Sequence, residues 1–166
     1  MMLGMSLSTF TAVHVIISLI GIVSGFIVLF GFLSAKRLNG LTALFLLTTV
    51  LTSVTGFGFP FDHLLPSHKV GIISLVMLAI AILARYSFHM AGKWRWIYVM
   101  TAMMALYLNV FVLVVQSFEK VPSLKAMAPT QSEPPFLVAQ LVVLALFIVL
   151  TIFAVKKFHP EAGRTP

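Results

Sequence analysis

Thr9–Leu33 reads TFTAVHVIISLIGIVSGFIVLFGFL, a run with one histidine and no acidic or basic residue besides it. At a helical rise of ~1.5 Å per residue, such a run crosses a hydrocarbon core of ~30 Å. His14, Ser18, Gly21 and Gly25 recur at helical spacing, so one imidazole shares a stripe with three small residues. The reading of the whole chain turns on whether that stripe holds a ligand or a neighbouring helix.

The rest of the chain repeats the pattern. Of 166 residues, 60% are hydrophobic and 9% charged, and the mean hydropathy is +1.10. Water does not hold a domain so poor in charge, whereas lipid does. Five apolar spans are expected, at Thr9–Leu33, Gly40–Phe59, Lys69–Tyr86, Trp94–Phe118 and Phe136–Val155. Each is expected to be helical, because a helix satisfies its own backbone in lipid. Barrel strands would be shorter and would alternate in polarity. The expectation is therefore an all-α polytopic protein, a small antiparallel bundle spanning 1–166 as one membrane domain. The first span lacks the basic residues and the short core of a signal peptide and reads as retained.

Charge sets the expected orientation. Lys36, Arg37, Arg85, Lys93, Arg95, Lys156, Lys157 and Arg164 fall on one side, and Lys69, Lys120 and Lys125 on the other. The positive-inside rule then puts the N-terminus outside and the C-terminus in the cytoplasm, with Trp94, Trp96 and Tyr98 as an interfacial anchor. Arg85 is expected to snorkel to that interface or to meet a lipid phosphate. The net charge of +7 does not indicate nucleic acid, since the basic residues form no continuous face. With no cysteine, disulfides, thiolate catalysis and Cys-ligated metals are excluded. No phosphate-binding loop, dinucleotide fingerprint, serine triad or zinc-protease helix is present, which leaves no hydrolytic reading.

Polar groups inside lipid are costly and mark function or helix contact. Here they gather in the expected outer half. His14 lies roughly 7 Å below the start of its span. Asn109 and Gln116 share a stripe with Tyr98, Ala102 and Ala105, Gln140 lies early in the fifth span, and Asp62, His63 and His68 flank the mouth. Two classes of reading follow. In the first, the chain is an integral subunit or helper whose partners are membrane lipids, a second copy of itself or a larger membrane complex. Gly21-Ile-Val-Ser-Gly25 then serves close helix approach, and Asn109 and Gln140 bond across helices. In the second, the outer half is a ligand pocket, with His14, Asn109 and Gln140 as partners for a quinone and Asp62 and His63 as a proton path. A metal site of His14, His63, His68 and Asp62 is chemically allowed, but no tight ligand spacing supports it. A transporter lacks an acidic carrier within a span. The segment Glu119–Pro135 is expected to be a solvated outer linker, with at most a short turn over Val121–Met127.

The histidine-bearing hairpins Thr9–Phe59 and His68–Phe118 resemble those of small multi-pass bacterial inner-membrane proteins of the b-type cytochrome kind. That resemblance implies haem b held between His14 and His68 (or His63), with Gly21 and Gly25 making room for the flat macrocycle. A second haem would have only His89 near the other surface.

Overall fold

A computed structural model describes residues 3–159 of the chain. Five helices are long and apolar enough to span a bilayer: α1 (Leu7–Leu33), α2 (Asn39–Gly56), α3 (Pro66–Ile82), α4 (Trp94–Lys120) and α6 (Pro134–Lys157). A sixth, α5 (Pro122–Met127), is a short turn between the last two spans. No strand occurs among the described residues. The protein is an all-α polytopic membrane protein.

Local chemistry fixes the helix starts. Ser6 caps α1 by accepting the Thr9 amide at 3.2 Å. Pro66, Pro122 and Pro134 open α3, α5 and α6, where the missing N–H costs nothing. At α3 the His68 ring turns back, and its Nδ1 accepts the Leu65 amide at 3.0 Å. The last turn of α3 widens into a π-helix over Leu83–Ser87, closed by Phe88 N–H to the Leu83 carbonyl at 2.9 Å.

α1, α2, α3 and α4 form an antiparallel four-helix ring in which each packs on its chain neighbour and α4 returns to α1. Small residues set the α1–α2 distance. A Cβ on Gly21 would lie 3.2 Å from the Thr48 hydroxyl, and one on Gly25 would lie 2.6 Å from Leu106 Cδ1 and 2.9 Å from Phe45 Cε2. Both glycines are filled against neighbouring helices, so the space expected for a macrocycle beside them is occupied by Thr48, Phe45 and Leu106. Tyr98, Phe45, Leu78, Met103 and Leu106 form the fully buried centre.

α6 lies outside this ring against α1 and α4. Only 11% of its apolar window is buried, compared with 44% for α1. Its far end is fastened most firmly. Phe158 is fully buried against Phe32, and Arg95 donates to the Val155 and Phe158 carbonyls at 3.0 and 2.6 Å. The segment before α6 is not a free linker. Ala128 is buried, and Gln131 Nε2 donates to the Val115 carbonyl of α4 at 2.9 Å.

The two ends of the bundle differ in character. The starts of α1, α3 and α6 lie at the histidine end, with His14, His63 and His68. The other, basic end carries Lys36, Arg37, Arg85, Lys93, Arg95, Lys156 and Lys157.

Candidate functional site

The four-helix ring does not close at the histidine end. It leaves a cavity of about 640 Å³ lined from α1, α2, α3 and α4. The walls are mostly apolar, including Val15, Ile22, Leu108 and Val112. Hydroxyl residues such as Ser18 and Thr52 also line it, Ser53 and Ser74 are bonded to each other at 3.2 Å, and the larger polar side chains are His14, His68, Asn109 and Gln116. Glu119 and Lys120 stand exposed at its mouth. A mainly apolar enclosure with a few convergent polar groups is the usual form of a small-molecule site.

The two histidines present opposite chemistry to this space. His14 Nδ1 lies 2.7 Å from the Thr55 hydroxyl oxygen. That hydroxyl already donates to the Leu51 carbonyl at 2.6 Å, so towards His14 it accepts. The neutral His14 ring therefore carries its proton on Nδ1 and keeps a bare lone pair on Nε2. His68 is the reverse. Its Nδ1 accepts the Leu65 amide, so the neutral ring carries its proton on Nε2. One ring offers an acceptor and the other a donor.

Aromatic rings hold both imidazoles. His68 packs between Phe57 and Phe61, with ring centres 5.3 and 4.1 Å away. His14 meets Phe59 edge-on at 5.1 Å. Phe57 and Phe59 flank Gly58, where an added Cβ would come within 2.7 Å of Phe10 Cζ. The end of α2 thus forms one aromatic floor beneath both histidines. On α4, Asn109 donates to the Thr49 hydroxyl at 3.3 Å and keeps its carbonyl oxygen and second N–H unused.

The other sequence candidates lie elsewhere. His63 and Asp62 are exposed and do not line the cavity. Gln140 faces α4, where Nε2 donates to the Phe111 carbonyl at 3.3 Å and Oε1 is buried without a donor. Gly21 and Gly25 are absent from the lining. No group of three or more His, Cys, Asp or Glu side chains converges among the described residues, so the four-ligand metal cluster is not assembled there. His89 is exposed, and Tyr98 is buried in the core and is no interfacial anchor.

Sequence reasoning also missed groups. Arg85 does not snorkel; it is 6% exposed and points into the bundle. Its position, four residues after Ala81 and seven after Leu78, places it on their buried stripe, and that spacing was visible in the chain. Ser74 lines the cavity with no earlier signal beyond its polarity, whereas Gln116 lines it from the outer-half stripe it shares with Asn109 in the sequence. No protein-family model, curated protein or solved structure matches this chain.

Proposed function

We propose that this chain is a non-hydrolytic integral membrane protein that binds a quinone or quinol in the cavity at its histidine end, as a subunit or helper of a larger membrane assembly. The observation that carries this reading is the pair of opposed imidazoles on one apolar enclosure. A quinol hydroxyl donates to His14 Nε2, and a quinone carbonyl accepts from His68 Nε2–H or from the Asn109 amide. The apolar walls suit a ring and the start of an isoprenoid tail. The uneven basic residues favour an orientation with the histidine end outside and the basic end in the cytoplasm.

Haem b between His14 and His68 is the second reading. A volume of about 640 Å³ falls in the ordinary range for a bound small molecule or cofactor, and His14 Nε2 has no hydrogen-bond partner. His68 weighs against it, because ligation through its Nε2 would require the proton to leave that atom while Nδ1 still accepts the Leu65 amide. The quinone needs no such change.

The test begins with the absorption spectrum and solvent extract of the purified full chain. A colourless protein that releases quinone, and whose melting temperature rises with a short-chain benzoquinone, is the expected result. Replacing either His14 or Asn109 by alanine is expected to weaken that binding about tenfold, the effect of one hydrogen bond of ~1.4 kcal/mol. A Soret band would transfer the site to haem. Wild-type affinity in the His14→Ala, Asn109→Ala double variant would remove the site from this cavity.

A further inference from the structure

We propose a second site at the basic end, one that holds the phosphate of an anionic phospholipid against Arg85. The first observation is a buried cation without an anion. Arg85 is 6% exposed, yet among the described residues its guanidinium meets no carboxylate. Asp62, Glu119 and Glu133 all belong to the opposite end, and the fourth acidic residue, Glu161, lies outside the described residues. The oxygen partners of its five N–H donors are the Asn39 side chain at 2.7 Å and the Arg37 carbonyl at 3.4 Å, and Met90 Sδ lies at 3.8 Å. The Tyr98 ring lies 5.2 Å from Cζ and supplies a π-face. A buried charge left with neutral partners is expensive, and an added anion offsets that cost.

The second observation is independent. The Tyr98 hydroxyl is fully buried beside Thr42 and Arg85, within reach of both, yet forms no hydrogen bond of good geometry among the described residues. Buried phenols normally find a partner. The third is the start of α2. Leu38 takes the cap position in a left-handed conformation, with φ at 43°, and offers no side-chain acceptor. The first-turn amides of an 18-residue helix are therefore uncapped and carry the positive end of its dipole. Guanidinium, phenol and helix amides are all donors, and they share one corner where the described residues supply neutral acceptors and no carboxylate.

Location chooses the anion. The corner lies where α1 ends, α2 begins and the π-turn closes α3, at the end of the apolar spans where headgroups lie. Exposed Lys36 and Arg37 border it. Asn39 is also exposed, and its side chain covers the guanidinium. When Asn39 turns aside, a non-bridging phosphate oxygen takes the place of its Oδ1, and the second oxygen faces the α2 amides. The diacyl tails then follow the apolar flank of α2 and α3.

The experiment uses the full chain in maltoside micelles, which contain no phosphate. It is melted with short-chain phosphatidylglycerol, with diacylglycerol of the same chain length and with inorganic phosphate. Phosphatidylglycerol is expected to raise the melting temperature by about 5 °C, a saturating-ligand effect for a chain of this size. Diacylglycerol is expected to leave it unchanged. A rise of the same size with inorganic phosphate alone would overturn the lipid assignment in favour of a free anion. Arg85→Gln is expected to lose the gain. Tyr98→Phe removes a hydroxyl with no well-formed bond, so without lipid it melts close to wild type, and with phosphatidylglycerol it gains less. Lys36→Gln is expected to keep most of the gain. A full gain in both Arg85→Gln and Tyr98→Phe, or one lost equally in Lys36→Gln, would sink the proposal.

Discussion

Glycine positions separate packing from open space at the scale of single residues. Gly25 lies 2.6 Å from Leu106 Cδ1 by its notional Cβ, whereas Gly40 has nothing within 4 Å. Gly25→Val is expected to lower stability by about 1–3 kcal/mol through overpacking, and Gly40→Ala to leave it level or slightly higher. Thermal melts in detergent compare the two. Gln140 makes a different point. Its one bond to Phe111 is 3.3 Å long and its Oε1 is orphaned, so Gln140→Leu exchanges a weak bond for the removal of an unsatisfied atom. The net change is expected to stay within about 1 kcal/mol, with quinone affinity untouched. These residues also mark where the sequence stops being legible. Depth follows from counting along a span, so His14, Asn109 and Gln140 were all assigned to one layer. Rotation about the helix axis does not follow, because in lipid the outward face is as apolar as the core. That is why the sequence groups Gln140 with the ligand and turns Arg85 outward, whereas both are buried between helices.

Individual elements were easier to read, since each span must be long, apolar and helical for reasons of solvent alone. Their ends were less so. The expected linker Glu119–Pro135 contains α5 and a folded turn before α6. There the Thr130 hydroxyl donates to Glu133 Oε1 at 2.7 Å, and the Thr130 and Ser132 amides lie 3.2 and 3.1 Å from its oxygens. The Thr130 hydroxyl above all holds the Glu133 carboxyl below its ordinary value of 4.5. A carboxyl with a lower value in the folded state stabilises fully above the unfolded value and loses that contribution as pH falls through the folded one. Acidification below about 4.5 is therefore expected to loosen the start of α6. Amide exchange over 130–137 measures it, and Glu133→Gln is expected to abolish the pH dependence.

On the scale of the molecule, charge and architecture can be tested together. The chain has no cysteine, so single cysteines introduced at Lys36 and Glu133 report without background. An impermeant maleimide applied to intact cells is expected to label position 133 and spare position 36. Labelling of both from one side would dismantle the orientation and with it the assignment of the cavity to the outer surface. An antiparallel bundle of five spans is legible from short connections and span polarity; the closing of four helices into a ring with α6 outside it is not. The cavity was foreseeable only in part: its depth and two of its histidines were, but its walls depend on how four helices turn towards one another.

The shallow seat of α6 has one more consequence. None of the residues around the cavity comes from α6, and that helix is held by Gln140 and Phe147 along its length and by Phe158 and Arg95 at its far end. A ribosome delivers α1 to α4 first, so the cavity can be finished while the final helix is still being translated. Two separately expressed pieces, divided near Pro129, should then reassemble in the membrane, the last helix arriving as a latch on a compartment already built.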